Sequence, residues 1–408
     1  MEDRIASSVA SGIIGVESNG NLAGRFSPDR DLRRVLYALG VAGGAAFVIG
    51  AAISALHAWR ALLMSSFLLI SFGLAATLFI AIQYVTGAAW CVAIRRVPEA
   101  ISSVIPWAAL GIAAVIIVKP DIYPWSAQPE MFSEAAWFKR LWLSQPFFTA
   151  RTILYLLSWI IISRAIVRNS RLQDDTGDIA YTRKNIRLSA LFVALFAVTF
   201  CLASFDWIMS LEPEWYSTIF AVYNFAGLFV GGLAAIIILT VWMDRLGPLR
   251  GILNREHLHD LGKLLFAFST FWMYIWFSQY MLIWYTNFPE ETVYYLRRIE
   301  GAWGTLFVLN MFLNWVVPFL ALLPKATKRN PSALIKVAYV VVAGRILDLY
   351  LMIAAPFANG GPKIGIIELV MILGSLSLFL LIFIKAFRNA NSFPTGDPFL
   401  AESRHYHR

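Results

Sequence analysis

The sequence predicts an all-α polytopic membrane protein with ten transmembrane helices. Three observations carry that prediction. First, residues of the AVILMFWYC set make up 59% of the 408 residues, charged residues only 14%, and mean hydropathy is +0.65. Soluble domains carry about 25% charged residues, and soluble cores for this chain length could not hide so much apolar surface. Second, apolar segments of about 20 residues, the length that crosses a hydrocarbon layer, recur along the chain. Third, the basic residues cluster in alternate loops between these segments, so the net charge of +9 reads as topology rather than nucleic-acid binding. Soluble enzymes, coiled coils and disordered chains are excluded.

In chain order, 1–34 is polar and Gly/Ser-rich, lacks the apolar core of a signal peptide, and is predicted to be a cytoplasmic arm. Spans follow at 35–57 and 62–86, the first with a GxxxG pattern at Gly40/Gly44 that predicts close packing. The third span, 98–118, is set off by Arg95, Arg96 and Pro98, which suit an interfacial break. The long loop 119–148 carries Trp125, Trp137 and Trp142 and predicts a surface segment with a short amphipathic helix near 130–143. Spans at 149–167 and 186–207 lead to the acidic loop DWIMSLEPEWYST and a span at 218–242, whose Gly227/Gly231 pair again signals packing. The next, 262–286, is aromatic: 11 of 23 residues from Phe266 to Phe288. Spans at 302–323, 333–356 and 365–387 complete a single membrane domain over 35–387, and 388–408 is predicted to be a cytoplasmic tail.

With ten spans, 25 of the 34 basic residues fall on the side of the termini, 8 on the other, and Arg345 lies within a span. That bias places both termini in the cytoplasm. Cys91 and Cys201 lie far apart, and none of the five histidines falls in the interior of an apolar span. The chain therefore predicts no metal, haem or iron–sulfur centre held by itself, and no catalytic residue of its own.

The residues that could carry chemistry are polar groups in apolar surroundings. Arg345 and Asp348 share one helical face at i, i+3, at mid-membrane, where charge is costly unless paired. They read either as a self-neutralising structural pair or as a hub on a proton or quinone path. Asp206, Glu212, Asn224 and Glu368 fall toward the outer side and suggest the outer half of a proton path, the alternative being acids of an ordinary solvated loop. His259, Asp260 and Lys263 stand at the inner entry of 262–286 and suggest a titratable entry cluster. Trp272, Trp276, Gln279 and Tyr280, with Trp284 continuing the face, suggest either a lipid- or subunit-facing surface or a wall for a quinone ring. Asn310 and Asn314 predict interhelical hydrogen bonds.

Two stretches, FDWIMSLEPEWYSTIFAVYNFAG (205–227) and HDLGKLLFAFSTFWMYIWFSQYMLIWYTNFPEET (259–292), resemble the polysulphide-reductase membrane-subunit (NrfD-like) superfamily. Within it they are most similar to the smaller integral membrane subunit of alternative complex III, a quinol:electron acceptor oxidoreductase. The resemblance implies two four-helix bundles, from the second to fifth and sixth to ninth spans, flanked by the first and tenth. It implies a bacterial inner membrane location and assembly with a multihaem cytochrome c subunit, an iron–sulfur subunit, a larger paralogous quinol-binding membrane subunit and small membrane anchors. Haem c and iron–sulfur clusters would reside in those partners, and quinone or menaquinone would be the ligand of the complex. The expected function is that of a structural subunit with proton translocation. Direct quinone binding on the aromatic wall is the second expectation, and a secondary transporter the third.

Overall fold

The computed structural model describes residues 30–128, 130, 136–357, 361–362 and 365–407. Most of the expected N-terminal arm and part of the expected surface helix near 130–143 lie outside them. Among the described residues every regular element is helical. We number those used below as α1 (Arg30–Ile53), α2 (Ala55–Thr86), α3 (Arg96–Ser102), α4 (Ile105–Val118), α5 (Trp137–Trp142), α6 (Gln145–Thr176), α7 (Ala180–Trp207), α8 (Phe220–Leu246), α9 (Arg255–Thr286), α10 (Pro289–Ile299), α11 (Ala302–Met311), α12 (Val317–Leu322), α13 (Pro331–Ile353), α14 (Ile366–Arg388) and α15 (Leu400–Arg404).

Nine helical stretches among the described residues are long and apolar enough to cross a membrane. The chain is a multi-pass membrane protein. Each stretch coincides with a predicted span. The tenth prediction, α9, has 32 residues but is not among the nine. Its Trp, Tyr, Ser and Gln lower its hydropathy although they do not shorten it.

Helices α2, α3/α4, α6 and α7 pack around one another as one four-helix group. A second group is formed by α8, α9, the α11–α12 stretch and α13. The groups meet where α2 crosses α8, and these two helices are 94% and 89% buried over their apolar windows. Helices α1 and α14 pair with each other and flank the assembly against α2. Outward faces carry Leu154, Leu157, Ile161, Val198, Leu320 and Leu373, all exposed, as lipid contact requires.

Several boundaries and packing expectations are corrected. The first turn is made by Ser54 alone, so His57 and Arg60 belong to α2 rather than to a span end and a loop. At the α1–α14 crossing the close contact is made by Gly43, where a Cβ would sit 2.7 Å from the Gly374 Cα, while Gly40 and Gly44 face open space. Arg95 and Arg96 do stand at the break between the second and third spans, which falls between Thr86 and Arg96, but they are not exposed at an interface. Both are buried, Arg95 on Asp397 (2.6 Å) and Glu99 (3.4 Å), Arg96 on Glu99 and Asp174. The third span is also interrupted at Ser103–Val104, just before Pro106, which lacks the N–H that would bind the Ser102 carbonyl. Trp125 is not at the surface: it stacks on Tyr123, packs at a tilt against Phe148 and donates to the Ser210 hydroxyl.

The C-terminal residues are also not a free arm. Asp397 holds Arg95, the Ser403 hydroxyl donates to the Trp90 carbonyl (2.6 Å), and the Tyr406 hydroxyl donates to Asp260 (2.7 Å). The tail thus straps the first group to the start of α9. We call this end of the bundle the tail side and the opposite end the far side.

Candidate functional site

The predicted pair Arg345 and Asp348 forms the centre of a buried polar hub between α13, α8, α11 and α7. Arg345 Nη1 donates to Asp348 Oδ2 at 2.7 Å, and Nη2 donates to Asn224 Oδ1 at 2.9 Å. The other oxygen of Asp348 accepts from the Tyr223 hydroxyl and from Asn310 Nδ2 (3.0 Å). Asn224 passes its amide to the Ser204 hydroxyl on α7 (3.2 Å). All of these side chains are buried.

Local sequence explains why the hub fits. Gly227 and Gly231 lie on the α8 face that meets Arg345. A Cβ at Gly227 would sit 2.9 Å from the Arg345 Cζ, and one at Gly231 3.0 Å from its Cγ. The glycine pair therefore makes room for the guanidinium, a chemical role that the packing motif did not announce. On the other side the helix after α11 widens into a π turn over Phe312–Val316. Pro318 lacks the N–H that would satisfy the Asn314 carbonyl four residues earlier, and the Ser269 hydroxyl of α9 donates to that carbonyl instead. The amide of Asn314 then donates back to Asn310 Oδ1 at 2.7 Å. Asn310 thus makes the interhelical bond that was expected of it, while the Asn314 amide bonds within its own helix.

The hub lies between the middle of α13 and its far-side end. At 1.5 Å per residue, Asp348 is about 7 Å and Arg345 about 12 Å from the end of α13. A small cavity of about 10 Å³ joins Tyr223 and Asn310 to Tyr294 and Arg298. Arg298, on α10, is buried and donates to Glu212 Oε1 (2.6 Å), while the half-exposed Arg297 reaches Glu212 Oε2 (3.3 Å). Burial acts to lower the Arg298 pKa, but Glu212 outweighs it and the net shift is upward, so Arg298 stays charged. Burial pushes the Tyr294 hydroxyl up to about 12, so it keeps its proton at neutral pH.

The other predicted residues lie elsewhere. Asp206 is held at the far side of the first group by both Nε and Nη2 of Arg151 (3.1 and 2.9 Å), by Trp142 Nε1 (2.9 Å) and by the Tyr155 hydroxyl (3.3 Å). Lys263 pairs with Asp260, and His259 lies 3.8 Å from Glu256, all on the tail side. Glu368 lines a separate cavity with His57 and Arg60. Trp272, Trp276 and Tyr280 form a ladder with centroids 6.0 and 6.2 Å apart, and Gln279 is buried beside them. The ladder packs on Phe307 and Tyr295. Trp284 does not continue that face; it is 67% exposed.

No family model matches this chain, and no curated protein matches it.

Sequence reasoning missed Arg151, Arg298, Arg95 and Arg96 as buried partners. All four sit near predicted span ends and were counted as orientation charges. Their signal was present as acids at matching depth: Asp206 opposite Arg151, and Glu212 opposite Arg298. His257 was also underread. Its Nδ1 accepts from the Asn254 N–H (3.1 Å), while its Nε2 lies 3.0 Å from the Ser403 carbonyl and donates to it. It fastens the tail.

Proposed function

We propose that this chain is an integral membrane subunit of a quinol:electron acceptor oxidoreductase of the alternative complex III type, in a bacterial inner membrane. In this reading multihaem cytochrome c and iron–sulfur partners hold the redox centres. This chain contributes scaffold and a proton route. The resemblance of 205–227 and 259–292 supports the assignment to that complex. The observation that carries the proton role is the hydrogen bonding of Asp348. One of its oxygens is bound only by neutral donors, Tyr223 and Asn310, so a proton can pass to the carboxylate without breaking its contact with Arg345.

A cavity of about 10 Å³ with several polar neighbours suits one water molecule. Such a water would relay between Tyr223 and the Tyr294–Arg298–Glu212 group at the far side. Toward the tail side Asn310, Asn314 and Ser269 extend the polar line into α9, whose first turns carry Asp260 and Lys263. Geometry gives less support to quinone binding on the α9 wall, because the ladder is filled by Phe307 and Tyr295 and the void beside Trp276 is far smaller than a quinone ring.

The assignment is tested by tagging the chain and solubilising it gently from native membranes. Co-purification of c-type haem, iron–sulfur clusters and quinol-oxidising activity is expected. Purification of the chain free of haem protein would contradict it.

A further inference from the structure

A cavity that the polar hub does not use opens between α2, α13 and α14 and measures about 330 Å³. Its lining is ordered along the membrane normal. His57, Arg60 and Glu368 stand at the far-side mouth, and Met64, Ile346, Leu347 and Ile372 lie deeper. Arg60 is six residues past Ser54, about 9 Å below that turn, just beneath one headgroup layer of about 5–7 Å. A polar mouth above an apolar shaft is the shape of a single amphiphile standing upright in the leaflet.

The charges at the mouth choose the headgroup. Arg60 lies flat on the Phe357 ring, 3.3 Å from its centroid, and its buried Nε has no hydrogen-bond partner. Among the described residues no carboxylate comes within ion-pair distance of it. An unpaired guanidinium at this depth lacks the compensation that charged groups in membranes normally find. His57 is tied through Nδ1 to the Ser54 hydroxyl at 3.0 Å, with Nε2 left over. Glu368, the one acid at the mouth, is turned back over Gly365 at the start of α14. There the positive end of the helix dipole offsets its charge.

We propose that this cavity is a binding site for an anionic phospholipid, whose phosphate engages Arg60 and whose acyl chain fills the shaft between α2, α13 and α14. A phosphodiester supplies the bidentate acceptor that a guanidinium prefers. The site is independent of the proton hub and of the complex assignment.

The test uses the purified full chain, with whatever subunits accompany it, in mild detergent. Native mass spectrometry reads retention of phosphatidylglycerol against phosphatidylcholine with identical acyl chains. The expected result is a preference of about tenfold for the anionic lipid, equivalent to one charge-assisted contact. R60Q abolishes the preference, R60K keeps most of it, and E368Q keeps or increases it. I372W, which blocks the shaft and leaves Arg60 in place, reduces retention of both lipids and serves if R60Q does not fold. Equal retention of the two lipids, an undiminished preference in R60Q, or displacement of the lipid by millimolar inorganic phosphate would overturn the proposal. The first outcome would point instead to a neutral-headed amphiphile, and the last to a free-phosphate site.

Discussion

Asp206 and Asp348 are both buried carboxylates near the far side, each facing an arginine, yet they are built differently. Asp206 is gripped through both oxygens by the fork of Arg151 and capped by two aromatic donors. Asp348 receives one N–H from Arg345, while its other oxygen is shared by a hydroxyl and an amide. Arg345 divides its donors between Asp348 and Asn224. Four donors hold the first carboxylate in place. The second has one oxygen bound only by neutral donors. In the function proposed above, two acids that look alike in an apolar sequence have different uses, structural lock and proton relay.

The largest expected effect breaks that comparison directly. Asp206→Asn removes the only carboxylate among the described residues on the buried Arg151, and the loss should reach about 3–5 kcal/mol. Asp348→Asn likewise strands the fully buried Arg345 and should also cost about 3–5 kcal/mol, because one amide oxygen cannot accept from Tyr223 and Asn310 and from Arg345 as well. Thermal unfolding in detergent gives both values, and a loss below about 1 kcal/mol in either variant would remove that ion pair from the account. Next in size is Gly227→Ala, which drives a methyl into the Arg345 guanidinium and should destabilise by about 1–3 kcal/mol. Gly40→Ala, facing open space, should stay within about 0.5 kcal/mol. Tyr223→Phe deletes one donor to Asp348 and should cost about 1 kcal/mol while slowing proton release in the assembled complex. Unchanged proton release in Tyr223→Phe would take the hydroxyl out of the route.

The smallest effect concerns how the two helix groups are fastened. Burial lowers the His257 pKa below its usual 6.5. Protonation would also set an N–H on Nδ1 against the Asn254 N–H that it accepts. The unfolded chain then binds the proton first, so tail docking is complete above pH 6.5 and weakens as pH falls through the lower folded-state value. Limited proteolysis near Arg404 should speed up on acidification, and His257→Gln should flatten that dependence.

Most of the fold was legible because lipid imposes one simple rule, a run of about 20 apolar residues for each crossing. As a helix α9 matches the predicted run 262–286, but its Trp, Tyr, Ser and Gln content keeps it out of the nine stretches apolar enough to cross. The hub was half legible. Arg345 and Asp348 stand out because no topology accounts for them, and Asn224 and Asn310 are conspicuous amides in apolar helices. Their convergence depends on Gly227, Gly344 and the π turn before Pro318, and pairwise packing across helices leaves no periodic trace in one chain. Arginines near span ends were the systematic blind spot. Arg151 and Arg298 fall on the side opposite the termini, against the charge-orientation rule, and their burial on Asp206 and Glu212 is what counting could not show. The tail was misjudged for a related reason: a polar segment after a last span reads as solvated, whereas Asp397, Ser403 and Tyr406 are polar because they plug polar sockets.

The central claim is that Asp348 carries protons and Asp206 does not. The direct measurement is the number of protons translocated per electron by the assembled complex in sealed vesicles, compared between Asp348→Asn and Asp206→Asn at matched assembly. The account predicts a lowered ratio in Asp348→Asn and an unchanged ratio in whatever fraction of Asp206→Asn assembles. An unchanged ratio in Asp348→Asn, with haem content and electron transfer intact, would contradict it.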